Sequence, residues 1–337
     1  MASSGIPVVV MGLGDIGQSI ARSVLARPEL QLLGAVDLRS ELVGRPLSDV
    51  LGVAGCDAPV ASDPAGLLRA ARGGVLLHAA GSRFEAVLPQ LTQAVRAGLS
   101  VVSTCEELAW PWLRNEAAAD DLDRLCEERN VAVLGTGVNP GFVLDRLPAV
   151  LGHVTGAVRH ARGLRVVDAS TRRPALQRKI GAGLTEEAFH EAAERGDVGH
   201  VGLAESAALV AAGLGLTLEE VEEELLPLVA QEDAEADADA DAPPAAVRVR
   251  RGQVAGVQQT ARVFAEEREV VRLELTIAVG AEDPRDEIEL DAEPPVRLLI
   301  PGGIAGEEAT TAAVLNAVGA VTELRGLVTV LDLPAGR

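Results

Sequence analysis

The sequence contains very few lysines and aromatic residues. Its 30 basic residues include a single lysine, Lys179, and tyrosine is absent beside four phenylalanines and two tryptophans. This arginine bias, with abundant alanine, is typical of a GC-rich genome and carries no function by itself. Because an ammonium group differs from a guanidinium group in size, hydration and ability to shift its pKa, Lys179 either occupies a place that arginine cannot fill or has survived by chance.

Cysteines and long apolar runs are scarce as well. The three cysteines, Cys56, Cys105 and Cys126, cannot form a closed disulfide framework and lack the spacing of metal ligands. No apolar run reaches the length of about 18 residues that a membrane span needs, and the N-terminus lacks a charged segment followed by a cleavable apolar one. We therefore expect a cytoplasmic protein that binds no metal and enters no membrane.

Basic charge is scarce relative to acidic charge. Fifty acidic residues against 30 basic ones give a net charge of −20, which argues against nucleic acid and anionic membrane surfaces as partners. Part of the excess lies in the segment EDAEADADAD, which two prolines follow. Such a low-complexity run predicts a mobile acidic insertion near 232–244 rather than a binding site.

A glycine motif near the start of the chain carries most of the functional information. The segment VVVMGLGDIGQSIA is an apolar strand pattern that ends in Gly12, Gly14 and Gly17 with G-x-G-x-x-G spacing, and a helical pattern follows. The first glycine permits the tight turn, the second lets the backbone approach a pyrophosphate, and the third lets helix and strand pack closely. The motif predicts an NAD or NADP site that includes Asp15 and Ile16; a glycine turn that binds nothing is the alternative.

A carboxylate at the end of the second apolar run supports this interpretation. The run Leu30–Val36 is followed by Asp37, twenty residues after Gly17, where an acid accepts the adenosine ribose hydroxyls. The charge of Asp37 opposes a 2′-phosphate, whereas Arg39 can accommodate one. We therefore predict that NAD is used and NADP tolerated.

The fold class predicted for residues 1–141 is α/β, with a Rossmann-type doubly wound parallel sheet, because short apolar runs alternate with helical stretches. Strands are predicted near Val8–Met11, Gln31–Val36, Gly74–Ala79, Ser100–Ser103 and Val131–Gly135, with helices such as Gly17–Ala26 and Phe84–Ala97 between them.

The pattern changes at about residue 142, which predicts a second, α+β domain over 142–303. Its predicted strands are Val158–Asp168, Val247–Arg250, Glu269–Val279 and Pro295–Ile300, in a mixed sheet. Its predicted helices are Thr185–Arg195, Leu203–Ala212 and one that a capping box at Thr217 and Glu220 begins and that runs to about Val229. Residues 304–337, helical through Ala309–Val318, are predicted to pack back on the first domain.

Two turns at predicted strand ends hold candidate site residues, because ligands bind at the carboxyl ends of parallel strands. After the third strand, Ala80, Gly81 and Ser82 are small and leave room for a cofactor. After the fourth strand, Glu106 and Glu107 are adjacent acids, and either can act as a general acid/base beside a nicotinamide. The alternative is that both are first-turn acids that interact with a helix dipole.

Three further segments are open to a structural or a functional interpretation. The fifth strand runs into GTGVNPGF, where Asn139 offers a donor and an acceptor in what is otherwise a turn. The range Arg165–Gly183 holds five bases and one acid, which predicts either a solvated basic loop or a loop that closes over an anionic ligand. His200 lies among glycines and is either structural or part of a site.

Together these segments resemble the 2,4-diaminopentanoate dehydrogenase family and the related native amine dehydrogenases, which share a dihydrodipicolinate-reductase-like Rossmann domain. The similar segments span nearly the whole chain: VMGLGDIGQSIA, AVDLRSELVGRPL, VVSTCEELAWPW, GTGVNPGFVLDRLP, RVVDASTRRPALQRKIGAGLT, GHVGLAES and PGGIAGEEATTAAVLNAV. The resemblance implies NAD(P)-dependent oxidative deamination of an amine, or reductive amination of a ketone or aldehyde with ammonia. It also implies a homodimer with the substrate pocket between domains and the dimer contact in the second one.

Carried over by position, the acidic pair in STCEELAWP matches the catalytic glutamate of the family. Glu106 is preferred because the residue at that offset faces the nicotinamide in related folds, and Glu107 is the alternative. The residues that match pocket or loop segments of the family are Cys105, Asn139, Phe142, Arg165 and His200. The sequence departs from the family at Ala305, where a histidine is expected, and in the acidic insertion.

Two other functions stay open at this point. One is a reductase of a C=N or C=O bond that works without ammonia, of the dihydrodipicolinate reductase or homoserine dehydrogenase type, although the His-His-x-x-Lys-x-Asp motif is absent. The other is a dinucleotide-binding sensor without catalysis. The scarcity of aromatic residues indicates aliphatic pocket walls but does not specify the substrate.

Overall fold

The computed structural model describes residues 5–170, 172, 174–233 and 247–336. Contacts divide the chain into two compact units, residues 1–142 together with 305–337, and residues 143–304. The predicted acidic insertion near 232–244 lies outside the described residues from position 234 onward. No helix in the described part of the chain is both long and apolar enough to cross a membrane.

Strands make up two sheets in the described residues. In chain order they are β1 (Ile6–Met11), β2 (Leu30–Val36), β3 (Val75–His78), β4 (Ser100–Ser103), β5 (Ala132–Gly135), β6 (His160–Asp168), β7 (Glu220–Val229), β8 (Val254–Ala265), β9 (Arg268–Ala278), β10 (Arg285–Asp291), β11 (Val296–Pro301) and β12 (Gly326–Val328).

Helices connect and cover these strands. In chain order they are α1 (Asp15–Leu25), α2 (Leu47–Leu51), α3 (Ala65–Ala70), α4 (Phe84–Ala97), α5 (Trp112–Arg129), α6 (Arg146–Gly152), α7 (Pro174–Lys179), α8 (Glu186–Glu194), α9 (Leu203–Leu214) and α10 (Gly306–Glu323). A short 3-10 turn, Glu106–Ala109, follows β4.

The first unit is built on a parallel sheet with the order β12-β5-β4-β3-β1-β2. Its central strands β3, β4 and β5 are buried along their whole length, as expected for short apolar strands with helices on both faces. The predicted Rossmann-type sheet is therefore confirmed. The prediction missed β12, which has three residues and comes from the end of the chain.

The C-terminal helix α10 belongs to the first unit and packs on α1 and on strands of the sheet. Thr311 Oγ1 donates a hydrogen bond to Ser19 Oγ of α1 over 3.0 Å. Thr310 Oγ1 accepts a hydrogen bond from the Val138 amide over 3.2 Å. Through this second contact, α10 helps to fix the turn that follows β5.

The second unit is built on a mixed sheet with the order β11-β10-β6-β9-β8-β7, in which β6 and β9 pair in parallel and the other neighbours pair antiparallel. The helix α9, buried from Leu203 to Ala211, packs on β7, β8 and β9. Along β9, buried residues alternate with partly exposed ones, which is the period of a sheet that has one face covered. The predicted second α+β domain with a mixed sheet is confirmed.

The predicted helix from Thr217 to Val229 is wrong, because Glu220–Val229 is the strand β7. This segment contains Pro227, which would remove a hydrogen bond and cause a clash inside a helix. Since β7 lies at an edge of the sheet, a residue without an N–H is tolerated there. The apparent capping box at Thr217 and Glu220 was a misleading signal.

The predicted strand Val247–Arg250 is also wrong, because only Val249 in that segment forms a strand-like bridge. Side chains accept hydrogen bonds from two of its backbone amides. The Val247 amide donates to Gln177 Oε1 over 2.9 Å, and the Arg250 amide donates to Gln253 Oε1 over 2.8 Å.

Candidate active site

The glycine turn between β1 and α1 needs glycine at two of its three positions for packing. Gly12 has φ +87°, and a Cβ there would lie 2.4 Å from the carbonyl oxygen of Ala79. A Cβ on Gly17 would lie 1.8 Å from the carbonyl oxygen of Gly12. By contrast, a Cβ on Gly14 would meet no atom within 4 Å. Packing therefore explains Gly12 and Gly17, whereas Gly14 borders open space.

The start of α1 is suited to bind phosphate. Gly14 is its N-cap residue and has no side-chain oxygen with which to cap the first N–H groups of the helix, which begins with Asp15 and Ile16. The N–H groups at a helix N-terminus, with the positive end of the helix dipole, bind anions. The open space beside Gly14 and this helix end fit the pyrophosphate of a dinucleotide.

The carboxylate of Asp37 binds the glycine turn and Arg39. Its Oδ2 accepts a hydrogen bond from the Leu13 amide over 2.7 Å, and its Oδ1 accepts one from the Arg39 amide over 2.9 Å. The Arg39 guanidinium donates two further hydrogen bonds of 3.0 Å. Although burial alone raises the pKa of Asp37, the hydrogen bonds from Arg39 and Leu13 lower that pKa to about 2. Asp37 is therefore ionised at neutral pH.

A pocket of about 450 Å³ lies at the carboxyl ends of β1, β2 and β3. Its volume is within the range of small-molecule and cofactor sites. It brings together five of the predicted cofactor residues, Gly12, Gly14, Asp37, Arg39 and Ala80. Its other lining residues include Met11, Leu38, Ser62, Pro64, Gln90 and Gln93. Open space beside Gly14, an uncapped helix end and an ionised carboxylate in one pocket fit a nicotinamide dinucleotide.

Glu107 is a buried residue that joins the 3-10 turn to the start of α4. Its Oε2 accepts a hydrogen bond from the Phe84 amide over 2.7 Å, and its Oε1 accepts one from Arg83 Nη1 over 2.9 Å. Its own amide donates to the carbonyl oxygen of Ser82 over 3.2 Å. Through these contacts the acidic pair lies next to the turn Ala80–Ser82, and both carboxylate oxygens of Glu107 bind α4 and the residue before it. Glu106, its neighbour, is half-buried.

A buried polar group that was not among the predicted site residues lies beneath this turn. His78, the last residue of β3, has its Nδ1 2.8 Å from Ser103 Oγ and its Nε2 2.7 Å from Gln90 Oε1. Ser103 Oγ also accepts a hydrogen bond from the Cys105 amide over 3.0 Å. Burial lowers the pKa of His78, so the ring is neutral at neutral pH. A polar residue that closes an apolar strand, as in VLLH and SVVS, was the available signal.

Cys105 and the turn after β5 complete the candidate residues of the first unit. Burial raises the pKa of the Cys105 thiol to about 12, which excludes a thiolate nucleophile at neutral pH. After β5, a Cβ on Gly141 would lie 2.2 Å from the Gly137 amide nitrogen, so packing requires this glycine. Asn139 lies half-buried in the same turn, and Phe142, with 37% of its surface exposed, ends this part of the unit.

The predicted basic loop Arg165–Gly183 is wrong in part, because Arg165 lies in β6 and α7 follows. Arg165 is buried, and its Nη1 donates to both carboxylate oxygens of Asp286 on β10 over 2.8 Å. Its Nη2 donates to the carbonyl oxygen of Ile304 over 2.6 Å, and Asp286 Oδ2 accepts from the Ile304 amide over 2.7 Å. The pair thus holds the backbone where the second unit ends.

His200, in the second unit, has its main chain bound by one side chain. Gln259 Oε1 accepts from the His200 amide over 2.9 Å, and Gln259 Nε2 donates to the His200 carbonyl oxygen over 2.8 Å. Gln259 is buried. No group of three or more His, Cys, Asp and Glu side chains that could hold a metal ion occurs among the residues that the structure describes.

A parallel Rossmann sheet with a pocket at the carboxyl ends of its strands defines the class of dinucleotide-binding proteins. Within that class, the chain belongs to the 2,4-diaminopentanoate dehydrogenase family, because the model of that family's C-terminal domain matches residues 142–337. The chain is 26% identical over 345 residues to the 2,4-diaminopentanoate dehydrogenase of Acetoanaerobium sticklandii, covering 98% of this chain and 94% of that protein.

Two further comparisons agree with the fold. The amine dehydrogenase structure from Mycobacterium smegmatis superimposes with a TM-score of 0.85 at 23% identity, covering 100% of this chain and 98% of that chain. A 4-hydroxy-tetrahydrodipicolinate reductase of Prochlorococcus marinus is 29% identical over 143 residues, which are 42% of this chain and 50% of that protein. The chain is thus an NAD(P)-dependent oxidoreductase that uses a nicotinamide dinucleotide.

We expect Gly14→Ala to weaken cofactor binding without harm to the fold. Gly14 has φ −58°, which suits alanine, and the added methyl group enters the open space that the pyrophosphate is expected to need. A fluorescence titration should show the Kd for NADH rising at least about tenfold, with a thermal midpoint within about 2 °C of the parent.

Gly17→Ala is the matched variant of the same motif. Its methyl group has no room beside the Gly12 carbonyl oxygen, so the thermal midpoint should fall by several degrees, in line with about 1–3 kcal/mol for overpacking. Parent-like NADH affinity in Gly14→Ala would show that the pyrophosphate does not approach this glycine.

Proposed function

We propose that this chain catalyses the NAD(P)-dependent oxidative deamination of a small aliphatic amine or diamino acid, and the reverse reductive amination of a ketone or aldehyde with ammonia. The observation that carries the proposal is the acidic 3-10 turn at the carboxyl edge of the parallel sheet, tied to the turn Ala80–Ser82 by the Glu107 amide. Family membership supports the reaction class.

We assign the acid/base role to Glu106. Glu107 is buried, and its two carboxylate oxygens accept hydrogen bonds from the Phe84 amide and from Arg83. A carboxylate that holds the start of a helix in this way serves the fold. Glu106 is half-buried in the adjacent position, which allows a carboxylate to exchange protons with a substrate.

This carboxylate has two roles in the reaction, proton transfer and stabilisation of positive charge. It takes a proton from ammonia as the nitrogen adds to the carbonyl carbon, and it returns a proton to the hydroxyl group that leaves as water. It then stabilises the positive charge of the iminium, which matters most where water is excluded. A nicotinamide cofactor, when bound, would supply the hydride that the iminium carbon accepts. The sum is carbonyl, ammonium, NAD(P)H and one proton from solvent to protonated amine, water and NAD(P)⁺.

The remaining candidate residues take different places in the proposal. We assign substrate contact to Asn139, Phe142 and His200, on their match to the family. Cys105 contributes an uncharged, buried thiol. Arg165, whose guanidinium binds Asp286 and the Ile304 carbonyl oxygen, supports the backbone. A homodimer belongs to the same proposal and rests on family membership, whereas location in the cytoplasm rests on the composition of the sequence.

We expect oxidation of NADH to require both a carbonyl compound and ammonium. A panel of aliphatic ketones and aldehydes, with and without ammonium, should give rates at least about tenfold higher with it, since only the iminium is the intended hydride acceptor. Equal turnover without ammonium would identify a C=O or C=N reductase, the second candidate, which the similarity of 42% of this chain to a 4-hydroxy-tetrahydrodipicolinate reductase favours.

Variants of the acidic pair complete this test. Glu106→Gln should lower kcat by about 10²- to 10⁴-fold, the usual contribution of a general acid/base. Glu107→Gln is the matched control, because its amide oxygen can still accept from the Phe84 amide, and its kcat should stay within about fivefold of the parent. A larger loss in Glu107→Gln than in Glu106→Gln would contradict the assignment.

The Asp37–Arg39 pair predicts a preference for NADH over NADPH. A 2′-phosphate would meet the charge of Asp37, and Arg39 must leave that carboxylate to bind the phosphate. We expect the Kd for NADPH to exceed that for NADH by at least about tenfold. Arg39→Ala should weaken NADPH binding further and change NADH binding little, whereas Arg27→Ala, which removes one hydrogen bond and one ion pair away from the pocket, should change neither. Exclusive NADPH binding would contradict this account.

A further inference from the structure

A chain of buried and part-buried hydrogen bonds leads from the wall of the cofactor pocket to the residue before Glu106. Gln90, which lines the pocket, has its Oε1 2.7 Å from His78 Nε2, and His78 Nδ1 is 2.8 Å from Ser103 Oγ. Ser103 Oγ accepts from the Cys105 amide over 3.0 Å. His78 and Ser103 have no exposed surface.

The direction of each hydrogen bond follows from the groups present. An amide oxygen only accepts, so His78 Nε2 donates to Gln90 Oε1. In a neutral imidazole the other nitrogen, Nδ1, carries no hydrogen, so it accepts the hydrogen bond that the Ser103 hydroxyl donates. The lone pairs of the same hydroxyl accept the Cys105 N–H. Each hydrogen in the chain has an acceptor, with His78 neutral and protonated on Nε2.

His78 holds the turn after β4 from two sides. It is the register partner of Ser103 across β3 and β4, and its carbonyl oxygen accepts from the Thr104 amide over 2.9 Å. The side-chain contact through Ser103 then fixes the Cys105 amide. Two successive amides directly before Glu106 are therefore bound by His78 or through it.

We propose that Ser103 and His78 are positioning residues for the reaction, because they fix the turn that presents Glu106, while Gln90 sets the tautomer of His78. The proposal rests on the proposed function, in which Glu106 is the acid/base. Rates of proton transfer and hydride transfer depend on sub-ångström placement of such a group. Loss of the Ser103 hydroxyl leaves the Cys105 N–H and His78 Nδ1 without these partners, so the turn can shift.

The same strand offers a matched control. Ser100, at the other end of β4, is buried, and its Oγ accepts from the Ala132 amide over 3.2 Å. Ser100→Ala and Ser103→Ala remove the same atom and each removes a hydrogen bond from a backbone amide. The two serines differ in position, because Ser103 lies just before the acidic turn, whereas Ser100 is the first residue of β4.

The experiment compares kcat, KM for the carbonyl compound, Kd for NADH and the thermal midpoint in these two variants. Both should lose thermal stability, and Ser103→Ala at least as much as Ser100→Ala, because it also leaves buried His78 Nδ1 without its partner. In Ser103→Ala we expect kcat to fall at least about tenfold with Kd for NADH within about threefold of the parent. In Ser100→Ala we expect kcat within about twofold of the parent. Ser103→Thr keeps the hydroxyl, so its kcat should recover most of what Ser103→Ala loses.

Each other outcome overturns the proposal. Equal kcat in the two alanine variants would show that the Ser103 contact is only structural. A parallel loss of NADH binding and kcat in Ser103→Ala would show that the chain supports the cofactor pocket instead of Glu106. Failure of the proposed function is distinguishable, because Glu106→Gln would then keep the parent kcat, or turnover would not depend on ammonium.

Discussion

The ionised carboxylate of Asp37 is the group on which the cofactor end of the first unit depends. Its hydrogen bond to the Leu13 amide ties the end of β2 to the glycine turn, and Gly17 lets α1 lie directly against the Gly12 carbonyl. Together these contacts place an uncapped helix end beside open space at Gly14. The pocket exists because Asp37 and α1 both fix the glycine turn, while no atom covers its middle glycine, Gly14.

Glu106 and Glu107 are neighbours in the sequence, but their environments at the carboxyl edge of the same sheet differ. The amide and the carboxylate of Glu107 join the 3-10 turn to residues 82–84, which fixes that turn against the start of α4. On the other side of Glu106, the amides of Thr104 and Cys105 are bound by His78 and Ser103. The carboxylate to which we assign the acid/base role is thus flanked by residues whose own polar groups serve the fold.

Local patterns predicted the first unit well, because its strands are short buried runs and its helices are amphipathic; α4 has the predicted bounds, Phe84–Ala97. Prediction failed at β7, where spaced acids and leucines resembled a helix and Pro227 was the contrary signal. The choice between the two glutamates depends on an amide 23 residues away in Phe84. The His78–Ser103 contact joins neighbouring strands, and spacing within a single sequence does not reveal such pairs.

The central claim is that one catalytic event joins ammonium nitrogen and cofactor hydride at the same carbon. The most direct test uses NADH doubly deuterated at C4, nitrogen-15-labelled ammonium and the carbonyl compound that the enzyme reduces fastest, with mass spectrometry of the product. The account predicts an amine that carries one deuterium on the carbon bonded to labelled nitrogen. An alcohol that carries deuterium and no labelled nitrogen would contradict it.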